Sequence, residues 1–140
     1  MISTTRRRLF AATIALVVAT CRDTTGPASV AGAYTASMFL LIIAPDTIDI
    51  IRAGGSITVT LMKDGTSSGQ VYVPASANGG TSYTASLDGT FTFSNGVVVF
   101  NPTTGSFMHD MPFTVLGVLL YSKTIFSGGT IVVALHPAAA

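Results

Sequence analysis

The chain contains no glutamate and no tryptophan, a single cysteine, and lysine or arginine at only 7 of its 140 positions. Charged residues make up 9% of it. So little charge excludes a disordered acidic or basic tail, which combines high net charge with low hydrophobicity. The shortage of Glu, Lys and Arg also excludes a coiled coil. A net charge of +1 cannot line a nucleic-acid backbone with cations, so no nucleic-acid partner is expected. One cysteine rules out an intramolecular disulfide. What fills the sequence instead is 49% hydrophobic residues, 20 threonines and 13 serines, in a length that suits one domain.

The scarce charge is unevenly placed. Arg6, Arg7 and Arg8 stand together, followed by the uncharged run from Leu9 to Ala19. A basic segment before a short apolar one is the pattern of a secretory signal peptide, expected here over residues 1–20. As a helix the run would rise about 16 Å, short of the roughly 30 Å hydrocarbon core, so a spanning anchor is the weaker reading. Cys21 follows directly, and Val18-Ala19-Thr20-Cys21 resembles the lipobox of bacterial lipoproteins, in which the cysteine is diacylated and becomes the mature N-terminus. Thr20 departs from the usual Gly, Ala or Ser. The alternative is a free thiol beside an ordinary cleavage site, with Ala31-Gly32-Ala33 as a remote candidate. On the lipoprotein reading, residues 21–30 form a lipidated tether. The membrane is then a partner through N-terminal acyl chains, whose buried methylenes contribute about 0.8 kcal/mol each. By resemblance to enterobacterial lipoprotein sorting, Arg22 in place of Asp after the cysteine implies secretion across the inner membrane and retention at the outer one, on its periplasmic or surface side. Without the leader the chain keeps four basic and six acidic side chains, a net charge of −2.

From residue 31 to 137 the dominant signal is alternation with period two. Tyr34, Ala36 and Met38 alternate with Thr35 and Ser37; Ile57, Val59 and Leu61 with Thr58 and Thr60; Tyr83, Ala85 and Leu87 with Thr84 and Ser86; Phe91 and Phe93 with Thr90 and Thr92. Each pattern puts apolar groups on one sheet face and β-favouring threonine on the other. Strands are expected near 32–39, 55–63, 69–74, 82–87, 90–94, 97–101, 112–116, 118–126 and 130–136. Residues 38–51 either extend the first strand and turn at Ala44-Pro45-Asp46 or form a separate connection. Asp88-Gly89 and Asn95-Gly96 predict two-residue hairpin turns, and Asp64-Gly65 a longer one running to Ser68-Gly69. Short links join antiparallel neighbours. The fold class is therefore all-β, a small antiparallel up-and-down barrel of about eight strands, which closure frees of exposed edges. A two-sheet sandwich ranks second, because it needs a crossover and only 39–54 and 101–111 are long enough.

Tyr34 after Gly32, Gly54-Gly55-Ser56-Ile57-Thr58-Val59-Thr60-Leu61, Lys63-Asp64-Gly65-Thr66, Gly89-Thr90-Phe91, Val97-Val98-Val99-Phe100 and Asp110-Met111-Pro112-Phe113-Thr114-Val115 resemble small lipocalin-like bacterial lipoproteins. The resemblance covers most of 30–136 and implies a fold and an envelope location, not a reaction. One departure stands out: Leu116-Gly117-Val118-Leu119-Leu120-Tyr121 lies where a polar turn belongs, and is either buried or a contact surface.

Chemistry-bearing residues are sparse. His109-Asp110, flanked by Met108 and Met111, is the only adjacent acid–base pair. Met108, His109 and Met111 form a weak candidate for a soft metal, outweighed by a turn whose methionines pack on the barrel mouth. No nucleophile elbow, phosphate loop or His-x-x-x-His spacing occurs, so no cofactor, metal or enzymatic activity is expected. The primary expectation is a lipid-anchored barrel that binds a small apolar ligand, with Tyr34, Tyr83, Phe91, Phe93, Phe100 and Phe113 facing it. The alternative is a structural or interaction lipoprotein with a filled barrel that docks on an envelope partner through residues 116–121.

Overall fold

Alternating threonine and apolar residues produce long antiparallel ladders. The computed structural model describes residues 26–138; the expected signal peptide, Cys21 and residues 21–25 of the expected tether lie outside them. The strands are β1 (Gly32–Ile43), β2 (Asp46–Asp49), β3 (Ser56–Leu61), β4 (Thr66–Val73), β5 (Tyr83–Ser86), β6 (Gly89–Ser94), β7 (Val97–Pro102), β8 (Pro112–Leu116), β9 (Leu119–Phe126) and β10 (Gly129–Pro137). Neighbours run β3-β4-β6-β7-β8-β9-β10, with β5 also paired to β4, and β10 pairs with β1 to close the ring. The result is an antiparallel barrel in which β1, β3, β4, β6, β7, β8, β9 and β10 form the wall. The two connections long enough for a sandwich crossover join ring neighbours instead, β1 to β3 and β7 to β8.

Side-chain alternation fixes inside and outside. On β3, Ile57, Val59 and Leu61 are buried while Ser56 and Thr58 face solvent. On β6 and β7, Phe91, Val98 and Phe100 are buried while Thr90, Thr92 and Asn101 are exposed. A barrel that spans a membrane with its strands shows the reverse, apolar outside and polar inside. The phase changes once, on β1. Ala36 pairs with Leu135 and Met38 with Ala134, so Ser37 is an extra, bulged residue. Its hydroxyl donates to the Ala134 carbonyl at 3.4 Å. Beyond the bulge the inward positions are Phe39 and Leu41, and Met38 turns outward at 40% exposure. The expected inward set Tyr34, Ala36, Met38 is corrected accordingly.

Residues 38–51 take the extended form. β1 continues to Ile43, and β2 folds back on it with Leu40 opposite Asp49 and Ile43 opposite Asp46. Asp88-Gly89 is not a hairpin turn. β5 and β6 both run antiparallel to β4, Val71 opposite Ala85 and Thr66 opposite Thr90, so they are one strand interrupted at Leu87-Asp88. The break is held from three sides. Leu87 N–H donates to the Gly69 carbonyl at 2.9 Å. The buried Ser67 hydroxyl donates to the Leu87 carbonyl at 2.7 Å. Gly69 N–H donates to the Asp88 carboxylate at 3.1 Å. Asn95-Gly96 does make the expected tight hairpin, with φ of 52° and 76°. The turn at Asp64-Gly65 is shorter than expected, because β4 already begins at Thr66.

One end of the barrel is stoppered by the chain that enters it. Of the expected tether, residues 27–30 form a 3-10 turn (Pro27–Val30), and Val30 is buried in the core. Tyr34 donates its hydroxyl to the Val30 carbonyl at 2.8 Å, and burial pushes the phenol's pKa up, so it remains a donor. Above this stopper the interior is filled by side chains, with Phe100 and Phe113 edge to face at 5.4 Å.

The wall can be tested at a close approach and at a turn. A Cβ on Gly69 (φ 151°) would strike the Thr58 carbonyl oxygen across the β3–β4 ladder. Gly69→Ala is expected to lower stability by about 1–3 kcal/mol, read as a lower denaturant midpoint at unchanged slope. Gly105→Ala, where a Cβ meets nothing within 4 Å, serves as the neutral control. At the β3–β4 turn, Thr66 donates its hydroxyl (2.7 Å) and its N–H (3.0 Å) to the Asp64 carboxylate and holds that group below its usual pKa. A lowered folded value means that this contribution is present at neutral pH and disappears as pH falls through it. In an NMR titration, Thr66→Val should move the Asp64 midpoint up toward the ordinary aspartate value.

Candidate functional site

The end opposite the stopper is open. Strands β3, β4, β5, β9 and β10 and the β1–β2 hairpin rise there to different heights, and two connections lean over the opening. The first carries the 3-10 turn Ala75–Ala77, the second the 3-10 turn Phe107–Asp110. Between them lies a cavity of about 300 Å³.

Its walls come from across the fold. Phe39 and Leu41 reach it because the Ser37 bulge turns them inward. Val73 and Tyr83 come from the paired ends of β4 and β5, and Phe126 and Ile131 from either side of the β9–β10 turn. Ile50 follows β2, held where its N–H donates to the Phe39 carbonyl at 2.9 Å. Ala77 and Asn78 come from the first covering connection. Asn78 donates its side-chain amide to the Thr81 carbonyl at 2.8 Å, which orients the amide within its own loop.

Phe107 is the main covering residue. Pairing of β6 with β7 ends at Gly89 opposite Pro102, so β5 is left with β4 as its one partner. Phe107 fills the gap beside it, stacked on Phe39 at 5.8 Å and tilted against Tyr83 at 6.1 Å. Ser106 caps its turn by accepting from Met108 N–H at 3.2 Å. The same turn separates the soft-metal candidates. Met108 and Met111 are buried in the core, whereas His109 is exposed and its Nδ1 donates to the Asp110 carboxylate at 3.0 Å. Among the described residues no three His, Cys, Asp or Glu side chains converge in a metal-binding group.

Of the six aromatic residues expected to face a ligand, Tyr83 lines the cavity. Phe91, Phe100 and Phe113 are buried in the packed interior, and Phe93 packs half-buried against it. Tyr34 sits at the stoppered end. The sequence reading missed Phe39, Phe107, Phe126 and Ile131. Phe39 was hidden by the bulge, and Ile131 by an apolar run without alternation. Phe107 left one signal: a large aromatic in a connection, directly after a Gly105-Ser106 pair that can cap a turn.

A lining of four aromatic rings and several aliphatic side chains, with Asn78 and the Tyr83 hydroxyl as the polar groups, suits a small neutral apolar molecule. The chain matches no protein-family model, no curated protein and no solved structure.

Proposed function

We propose that this protein is a lipid-anchored envelope β-barrel that holds a small apolar molecule in its open end, without catalysing a reaction on it. The observation that carries the reading is the apolar cavity of about 300 Å³ in a barrel otherwise filled with side chains. A structural barrel gains nothing from an opening lined by Phe39, Phe107, Phe126 and Tyr83, since unfilled apolar space forfeits packing contacts. The absence of catalysis is supported by the placement of His109 and Asp110 on the solvent side of their turn. Anchoring through Cys21 is supported by the leader sequence, and by the outward serine and threonine of β3 and the outward threonines of β6, which suit attachment to a membrane rather than passage through one. The alternative of a filled barrel docking on an envelope partner draws on the packed half of the interior and on the exposed residues near 116–119.

Native mass spectrometry of the purified protein should show a bound small molecule, and a naphthalene-sized fluorescent probe should compete with it. Ala77→Leu places three further carbons in the cavity, and is expected to weaken probe binding about tenfold, or 1.4 kcal/mol, with the folded baseline unchanged. An unliganded mass together with no probe uptake by the native protein would overturn the binding reading. For the anchor, globomycin should arrest processing, and Cys21→Ser should move the protein from the membrane to the soluble fraction. A Cys21→Ser protein that stays membrane-bound refutes acylation at that site.

A further inference from the structure

The β8–β9 turn carries apolar side chains where solvent should be. Leu116 is 52% exposed, Val118 69% and Leu119 37%. The chain reverses there at Gly117, whose φ is 65°. The ladder places this tip at a definite end of the barrel. Leu120 lies opposite Leu135, and Leu135 opposite Ala36, so the tip extends past the level of Tyr34 and Pro137. That is the stoppered end, where Pro27–Val30 closes the interior. Met62, 41% exposed beside the β3–β4 turn, is on the same rim. The charged side chains of that turn, Lys63 and Asp64, are of opposite sign.

The chain outside the described residues arrives at this end too. From Cys21 to Gly26 are five residues, which span no more than about 18 Å in any conformation. We infer that the β8–β9 tip dips into the lipid surface beside the anchor and seats the barrel with its stoppered end on the membrane and its cavity facing away. The inference rests on the acylation of Cys21 proposed above. The acyl chains bring the rim to the bilayer, and Leu116, Val118 and Leu119 bury there rather than in a protein partner. The open end exposes Ile43, Ile125 and Phe126 as well, so it is the short reach of the anchor, with Leu116, Val118 and Leu119 at its point of arrival, that selects the stoppered end for the lipid.

The chain has no tryptophan, so one introduced indole reports its own surroundings. Val118→Trp puts it on the tip, and Ser127→Trp puts it in the β9–β10 turn at the open end. Each full-length variant is expressed in a bacterial host, purified in detergent and returned to phosphatidylethanolamine–phosphatidylglycerol vesicles with or without brominated acyl chains. Intact mass reports acylation separately. The expected result is an acylated protein in which the tip indole of Val118→Trp shifts its emission to the blue and is quenched by bromine, while emission from Ser127→Trp is unchanged. An acylated Val118→Trp protein whose indole stays unquenched overturns the seating and leaves the anchor standing. An unacylated protein overturns the anchor, and the seating with it. A tip left in water on vesicles but protected from labelling in whole membranes identifies a protein occupant and overturns the lipid seat. Matching far-ultraviolet circular dichroism of both variants confirms that the fold is intact.

Discussion

Every other feature of this protein depends on the pairing of β1 with β10. The ladder runs from Tyr34 opposite Pro137 to Ile42 opposite Thr130 and turns an open meander into a ring. Without it, two edges of unpaired backbone groups would be exposed, the arrangement that favours aggregation. With it, each strand of the wall has a neighbour on both sides, and alternation acquires a single meaning: one parity faces a shared interior. The bulge at Ser37 lies within this seam and reverses the parity of β1 halfway up, so the same strand supplies Ala36 to the filled half and Phe39 to the open half.

The barrel's two ends are consequently different materials. Near the stopper, the segment before β1 is folded under the ring and the interior is filled by buried side chains. At the other end the strands part company: β5 has one neighbour, β2 pairs with β1 alone, and loops take over the covering role. Phe107 stands in for the missing strand with an aromatic ring in place of a ladder of hydrogen bonds. A covering made of side-chain contacts opens locally at lower free energy than one made of paired backbone, so a route into the cavity is built into the architecture.

The barrel was legible in the sequence because its determinants are local. Threonine alternating with large apolar residues marked nearly every strand, and Asn95-Gly96 marked a hairpin that formed. What escaped was set by partners distant in the chain. The Ser37 bulge exists only against Leu135 and Ala134. Asp88-Gly89 has the chemistry of a hairpin turn, yet Gly69 and Ser67 on β4 hold both flanking segments in one line. The cavity was harder still. Tyr83 could be read as inward facing, but whether an inward side chain meets packing or open space depends on how high each neighbouring strand rises, and no single segment records that.

The seam that closes the ring joins residues about a hundred positions apart, and β10 is the last of the described strands in chain order. Until β10 is present the middle of β1 has no partner and the ring stays open, although β2 and β3 can already pair with the two ends of β1. Closing so long a loop is slow relative to local hairpin formation. Local hairpins such as β3–β4 and β6–β7 therefore come together before the ring does. Ring closure is thus the step that commits separate hairpins to one shared interior.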